Sequence, residues 1–358
     1  MTTIGQIRRH ALQASLLSPT TLGRAVATLG FVQADPIRSP ARAQDLILRH
    51  RVTAYRAGDL DRGFARLRLE EDFLYAYGFM PRDTFQLLHP RHDTACHDGR
   101  HVPEGLAAEV LHFVRSRRLT HPRDLAERFG TERAVNGWGG FSKATTRALQ
   151  SLHYYGLLRV ARRHDGIRVY QATTPHTATL GPRERTRRLV LLACRILAPI
   201  SQSSLGSTCT LMTRGAPGLG RLHDTVRTLV ASGELARAEL DGETYLWPAD
   251  MAVEPRETRR QVRFLAPFDP IVWDRRRFEH LWGWAYRFEA YTPEAKRQFG
   301  YYAMPLLWGD RVIGWVNLAK PDGRLQVEAG YIERAPKGRD FHRAFDAEVA
   351  RMEAFLGG

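Results

Sequence analysis

Leu22, Ala25, Val26 and Leu29 fall at i, i+3, i+4 and i+7, the spacing of one buried face of an α-helix. Ser18 or Thr20 is placed to cap this helix and Gly30 to end it. The stretch 31–36 runs into Pro36, and a residue before proline is pushed out of helical geometry, so this stretch is predicted to be extended. Extended backbone turns Gln33 and Asp35, two apart, to the same side. A further helix is expected through Arg42, Asp45, Leu46 and Arg49, and residues 104–130 again read as helical. The clearest unit comes next. Ser142 is expected to cap a helix holding Ala148, Leu149 and Leu152, which stops near Gly156. A strand over 157–162, an Asp165-Gly166 turn and a return strand over 167–170 complete it. The same order of helix, glycine, strand, Asp-Gly and strand recurs from Arg221 to Trp247, which predicts a repeated module.

From about residue 262 the pattern turns to strands, over 301–308, 311–319 and 324–331, with Gly309-Asp310 and Asp322-Gly323 at the turns. A last amphipathic helix starts near Asp340, with Phe345, Val349, Met352 and Leu356 on its buried face. The predicted fold is α+β, with tandem winged-helix (helix-turn-helix) modules followed by a small C-terminal β-barrel-like domain closed by a helix. The expected domains are 1–103, carrying the Gln33–Asp35 pair, then 104–180, 181–250 and 262–358, with the Pro- and charge-rich stretch 248–260 as linker. Phe264, Phe268 and Trp273 are expected in the core of the last domain, and 269–277 is expected to form a structural corner with an internal salt bridge.

Charge then changes the picture. Lys+Arg outnumber Asp+Glu by 53 to 38, a formal net charge of +15. Apart from Lys143, Lys296, Lys320 and Lys337 the cations are arginines, whose planar fork suits phosphate oxygens. GC-rich coding accounts for arginine over lysine, but the positive excess itself points to a polyanionic partner. The first hairpin carries Arg159, Arg162, Arg163 and Arg168, whereas the second carries Glu234, Glu239, Asp241 and Glu243 and is expected to face such a partner less. Lys143 and Arg147 sit at the start of the helix that a winged helix lays on DNA. Arg38 and Arg42 read either as phosphate contacts or as a solvated helix face, and Trp138 either as a wedge or stacking residue or as core. Cys96, Cys194 and Cys209 form no CxxC pair, and His89, His92, His97 and His101 lack metal-ligand spacing, so no metal is expected. No apolar run approaches a membrane span and no signal-peptide pattern is present, so a cytoplasmic, nucleoid-associated protein is expected.

Three stretches resemble the YcaQ/AlkZ-like winged-helix DNA glycosylases, which repair alkylated and crosslinked DNA. They are Gly30-Phe31-Val32-Gln33-Ala34-Asp35-Pro36-Ile37; Gly137-Trp138-Gly139-Gly140-Phe141-Ser142-Lys143 with the helix and basic hairpin after it; and Leu265-Ala266-Pro267-Phe268-Asp269-Pro270-Ile271-Val272-Trp273 through Arg277, continued by 291–297 and Gly300-Tyr301-Tyr302. Phe73 and Tyr75 stand where the family often has Trp and His, and Asp35 stands where some members have a second Gln. The resemblance implies a monofunctional glycosylase that hydrolyses the N-glycosidic bond of N7-alkylated purines and interstrand crosslinks in duplex DNA. It further implies Gln33 and Asp35 as catalytic residues, a monomer, no cofactor, and an open groove in place of a deep base pocket. Chemically the pair is apt: Asp35 would stabilise an oxocarbenium-like sugar and take the proton of the water that Gln33 orients. A simpler reading makes them polar residues at a strand end, with Asp35 capping ahead of Ile37. Tandem winged helices also serve regulators without catalysis, and a partner-binding scaffold is the remaining alternative.

Overall fold

Thr3 opens the first helix, α1 (Ile4–Ser15), with a reciprocal cap: its side chain accepts from the Gln6 amide while the Gln6 side chain accepts from the Thr3 amide. The structure, a computed structural model, describes residues 2–16, 18–91, 101–135, 141–174, 180–251 and 260–357. Next come α2 (Leu22–Leu29), β1 (Val32–Gln33), α3 (Ala43–Leu48), α4 (Asp59–Gly63), β2 (Glu70–Phe73), β3 (Tyr77–Met80) and α5 (Arg82–Leu88). The expected cap of α2 shifts by a residue. Thr21, not Ser18 or Thr20, accepts from the Arg24 amide, because Thr20 is held by backbone pairing beside Val52. Gly30 ends the helix as expected, at φ +70°.

The second unit holds α6 (Gly105–Arg115), α7 (Pro122–Phe129), β4 (Arg133–Val135), β5 (Phe141–Lys143), α8 (Ala144–Tyr154), β6 (Leu158–His164) and β7 (Ile167–Ala172). Ser142 does not cap α8: it lies within β5, and Lys143 takes the cap position without a side-chain hydrogen bond. The third unit holds α9 (Pro182–Ile196), β8 (Ile200–Ser201), α10 (Gln202–Met212), α11 (Leu222–Ala231), β9 (Leu235–Leu240) and β10 (Glu243–Pro248). The first and third units share one topology, helix–strand–helix–helix–strand–strand, with sheet orders β1-β3-β2 and β8-β10-β9. In the second, a single bridge between Thr120 and Tyr170 replaces the first strand. Both Asp-Gly turns have two left-handed residues, Asp165 and Gly166 in one and Asp241 and Gly242 in the other, the geometry that matches strand twist in a two-residue hairpin.

The C-terminal part comprises β11 (Val262–Phe264), α12 (Pro270–Trp273), α13 (Arg275–Trp282), β12 (Met304–Trp308), β13 (Arg311–Ala319), β14 (Gln326–Tyr331) and α14 (Arg339–Leu356). Its strands form an open antiparallel sheet, β11-β12-β13-β14, and not the expected barrel. β11 and β14 stay unpaired with each other at the two edges of the sheet, so it does not close. Helix α14 instead covers the β11 edge. Its buried Glu348 accepts from the Phe264 amide at 3.1 Å and pairs with Arg49 at 2.8 Å. The corner at 269–277 forms as expected, although its ion pair reaches outside the run. Asp269 caps α12 and receives both arms of the fully buried Arg51 guanidinium at 2.8 and 2.9 Å. Arg277, also buried, donates to the carbonyls of Leu197, Pro270 and Ile271.

The apolar cores cross the expected domain boundaries. One joins α2–α4 to the second unit and to the face of the C-terminal sheet that packs on α14. Another joins Phe31, Leu74 and Met80 to α9 and α10, and a further one joins α1 to α12 and α13. The unit carrying Gln33 thus packs on the second and third units, with Phe31 in one core and Val32 in another.

Candidate active site

The strand bearing Gln33 is two residues long, but its geometry is closely constrained. Val32 pairs with Phe79 and Gln33 with Gly78, and the Ala34 amide continues the ladder to the Tyr77 carbonyl at 2.9 Å. Gly78 permits this approach: a Cβ there would lie 2.4 Å from the Val32 carbonyl oxygen and 2.5 Å from the Phe31 ring. Val32 and Ala34 pack into one core, so the alternation of extended backbone turns Gln33 and Asp35 to the other side.

Both side chains are partly exposed. The Gln33 Oε1 atom is itself buried and has no hydrogen-bond partner. An unpaired buried amide oxygen is costly and ready to accept from a water or ligand. Asp35 Oδ1 accepts from the Ile37 amide at 2.9 Å, the local bond of the simpler reading, although no helix begins there. Burial raises the Asp35 pKa above the usual carboxylate value, and the Ile37 hydrogen bond pulls the other way. Asp35 therefore uses one oxygen to fix its rotamer while its charged form is only partly solvated.

Two tyrosines of the C-terminal part lie within electrostatic reach of Asp35. The Asp35 charge raises the phenol pKa values of Tyr291 and Tyr302, second only to burial in both. Tyr302 is buried, its hydroxyl has no hydrogen-bond partner, and its ring meets Phe288 edge-on at 5.3 Å. The sequence marks 291–297 and 300–302 through the family resemblance without giving them a role.

The basic residues divide into two groups. Arg38, Lys143, Arg147 and Arg162 are exposed. Arg42, Arg163 and Arg168 are engaged within the protein. Arg42 pairs with Asp61 at 2.9 Å and lies under the hairpin turn, where a Cβ on Gly166 would meet it. Arg163 and Arg168 both bind the buried carboxylate of Glu71, at 2.7 and 2.9 Å, and stack over Phe79 and Tyr77. Arg159 pairs with Glu70 at 2.8 Å. The basic hairpin is thus latched to the acidic strand β2 by charges that the sequence reading had turned outward. The available signal was three consecutive acids, Glu70-Glu71-Asp72, set between apolar residues. Trp138 lies outside the described residues.

The third acid of that strand, Asp72, anchors a separate buried network. Burial pushes its pKa up, but Arg91 at 3.1 Å, His89 at 3.0 Å and nearby His153 together hold it well below the carboxylate range. Arg91 also donates to the carbonyls of Gly215 and Tyr154, so this network ties all three repeated units together. Among the described residues no group of three or more His, Cys, Asp or Glu side chains is placed to hold a metal ion. No described helix is long and apolar enough to cross a membrane.

Repeated helix-and-hairpin units on a strongly basic chain are the architecture of a DNA-binding protein, and here an amide on β1 and a carboxylate just beyond it face the same side. Residues 26–355 match the family described as DNA glycosylase AlkZ-like, and the chain belongs to that family. The fold is also similar to that of the Streptomyces sahachiroi DNA glycosylase AlkZ, with a TM-score of 0.63 at 15% sequence identity, over 99% of this chain and 97% of that one. Membership makes DNA the substrate and DNA repair the setting.

Proposed function

We propose that this protein is a monofunctional glycosylase that hydrolyses the N-glycosidic bond of N7-alkylated purines, including those tied into interstrand crosslinks, within duplex DNA. The observation that supports the reading is the proximity in sequence of Gln33, on β1 with its unpaired amide oxygen, and Asp35, just beyond β1 with its half-buried carboxylate, turned to the same side of the extended segment. An N7-alkylated purine is already cationic. When its bond to C1′ breaks, the electron pair leaves on N9 and the base departs neutral without an acid. The sugar becomes oxocarbenium-like, and Asp35 stabilises that charge. Water held by the Gln33 amide adds to C1′, and its proton passes to Asp35. A raised pKa makes the carboxylate a stronger base for this transfer. No cofactor enters the chemistry.

The three repeated units are read as winged helices. Arg38, Lys143, Arg147 and Arg162 bind phosphates, which positions the duplex without reading its sequence. Arg42, Arg163 and Arg168 act indirectly by seating the hairpin beside the motif. The partial exposure of both catalytic side chains supports an open groove that admits a base still joined to the opposite strand.

The test uses a duplex with one N7-methylguanine and a second duplex with a nitrogen-mustard crosslink. The wild-type protein should release the free base, detectable by mass spectrometry, and leave a strand that breaks only after alkali. Absence of base release together with sequence-selective binding would replace this reading with a regulator.

A further inference from the structure

Tyr291 is an exposed aromatic held on a rigid support. Its residue is 78% exposed, the largest exposure among the described large apolar side chains, and Tyr301 nearby is 43% exposed. The exposure alone is ordinary; what sets Tyr291 apart is a fixed support together with electrostatic reach of the Asp35 carboxylate. The loop beneath it is fixed. The buried Glu289 carboxylate accepts from the amides of Gln298, Phe299 and Gly300 at 2.8–3.3 Å. The Thr292 amide donates to the Glu289 carbonyl and the Arg297 guanidinium to the Thr292 carbonyl, which closes the loop on both sides of Tyr291. Gly300 has φ +119° and abuts Asn317, whose side chain donates to the Phe299 carbonyl at 2.7 Å. Phe288 supports the Tyr291 ring edge-on at 6.2 Å and meets the Tyr302 ring at 5.3 Å, so the two phenols that feel the Asp35 charge rest on one aromatic support.

We propose that Tyr291 is the lesion-contacting residue of the site, a fixed aromatic face that stacks on the positively charged alkylpurine while Asp35 addresses its sugar. The inference rests on the proposed glycosylase activity and adds a basis for selectivity. An alkylated purine differs from an undamaged one by its positive charge, and a π-face attracts a cation more strongly than a neutral ring. A rigid exposed ring selects for that charge without enclosing the base, so a crosslinked purine still fits. Ring and carboxylate together surround the cation with negative potential on two sides.

The experiment compares binding to two duplexes, so it does not depend on cleavage. One carries N7-methylguanine on a 2′-fluoroarabinose sugar, a cationic lesion that resists hydrolysis. The other carries the neutral 7-methyl-7-deazaguanine. Wild-type protein and Tyr291→Phe should both prefer the cationic duplex, and Tyr291→Ala should lose about 10-fold of that preference, within the range of base–aromatic stacking. Affinity for undamaged duplex should stay unchanged, which separates the effect from misfolding. Retention of the full preference by Tyr291→Ala overturns the proposal. Preference lost in Tyr291→Ala but with no base released by wild-type protein would sink the glycosylase reading and leave a cation-selective binder.

Discussion

Glu71 is where one substitution should be felt furthest. Its side chain has no exposed surface, and it holds Arg163 and Arg168, which are 11% and 29% exposed. Glu71→Gln keeps the shape and removes the charge that both guanidiniums share. Two unit charges about 4 Å apart interact by about 4 kcal/mol at an effective dielectric near 20 and by about 1 kcal/mol in water. Breaking a buried pair by removing one partner costs roughly 3–5 kcal/mol. Both arginines can turn partly to solvent, which places the cost at the lower end, about 3 kcal/mol. At about 2 °C per kcal/mol for a chain of this size, the melting midpoint should fall by roughly 6 °C. The hairpin should also loosen from the strand pair that carries Gln33, so base release should slow. The assay is thermal unfolding by circular dichroism on Glu71→Gln, Arg168→Met and the double variant. Coupling between the two should appear as a double-variant loss smaller than the sum of the single losses. A midpoint change below about 2 °C, or strictly additive losses, would refute the latch.

Salt dependence of duplex binding should distinguish the two groups of cations. Alanine at Arg38, Lys143, Arg147 or Arg162 should each lower the slope of log affinity against log salt by about 0.9, whereas Arg168→Gln should leave the slope unchanged; equal slopes for all five would contradict the division. Asp35→Asn should raise the melting midpoint at pH 7. Burial raises the folded-state pKa, so the unfolded chain loses its proton first and the penalty on the folded state grows as pH rises from the unfolded value and is complete above the folded one; the gain should shrink toward acid pH, and a loss of stability at pH 7 would be the wrong sign. His10 and His89 are pushed down to about 4, chiefly by burial. Unfolded histidine takes up a proton near pH 6.5, so the stability from these neutral rings is complete above that pH and lost as pH falls toward about 4, by up to about 1.4 kcal/mol per pH unit each. His10→Phe should therefore flatten the acid limb of a stability–pH curve, and an unchanged limb would count against it.

Local rules made much of this legible. The i, i+3, i+4, i+7 pattern placed α2, and Asp-Gly turns between alternating strands placed both hairpins, because these signals need only neighbouring residues. Proline at position 36 was enough to make the Gln33–Asp35 segment extended. Facts that depend on distant partners were not legible. Arg163 and Arg168 read as outward charge because Glu71 lies about ninety residues earlier in the chain. The alternation that marks strands does not say whether a sheet closes, so a barrel was expected where α14 covers an open edge. Ser142 looked like a cap by residue type, yet pairing of β4 with β5 took it into a strand. The tyrosines beside Asp35 come from the other end of the chain, and no spacing rule connects position 35 with 291 or 302.

The central claim is that the Asp35 carboxylate stabilises and completes bond cleavage at the lesion. Its most direct test is the single-turnover rate of base release from an N7-methylguanine duplex by wild-type protein and by Asp35→Asn, with duplex affinity measured in parallel. Loss of about 4 kcal/mol of charge stabilisation corresponds to about a 1,000-fold slower rate at unchanged affinity. A variant that releases the base within about threefold of the wild-type rate would contradict the account.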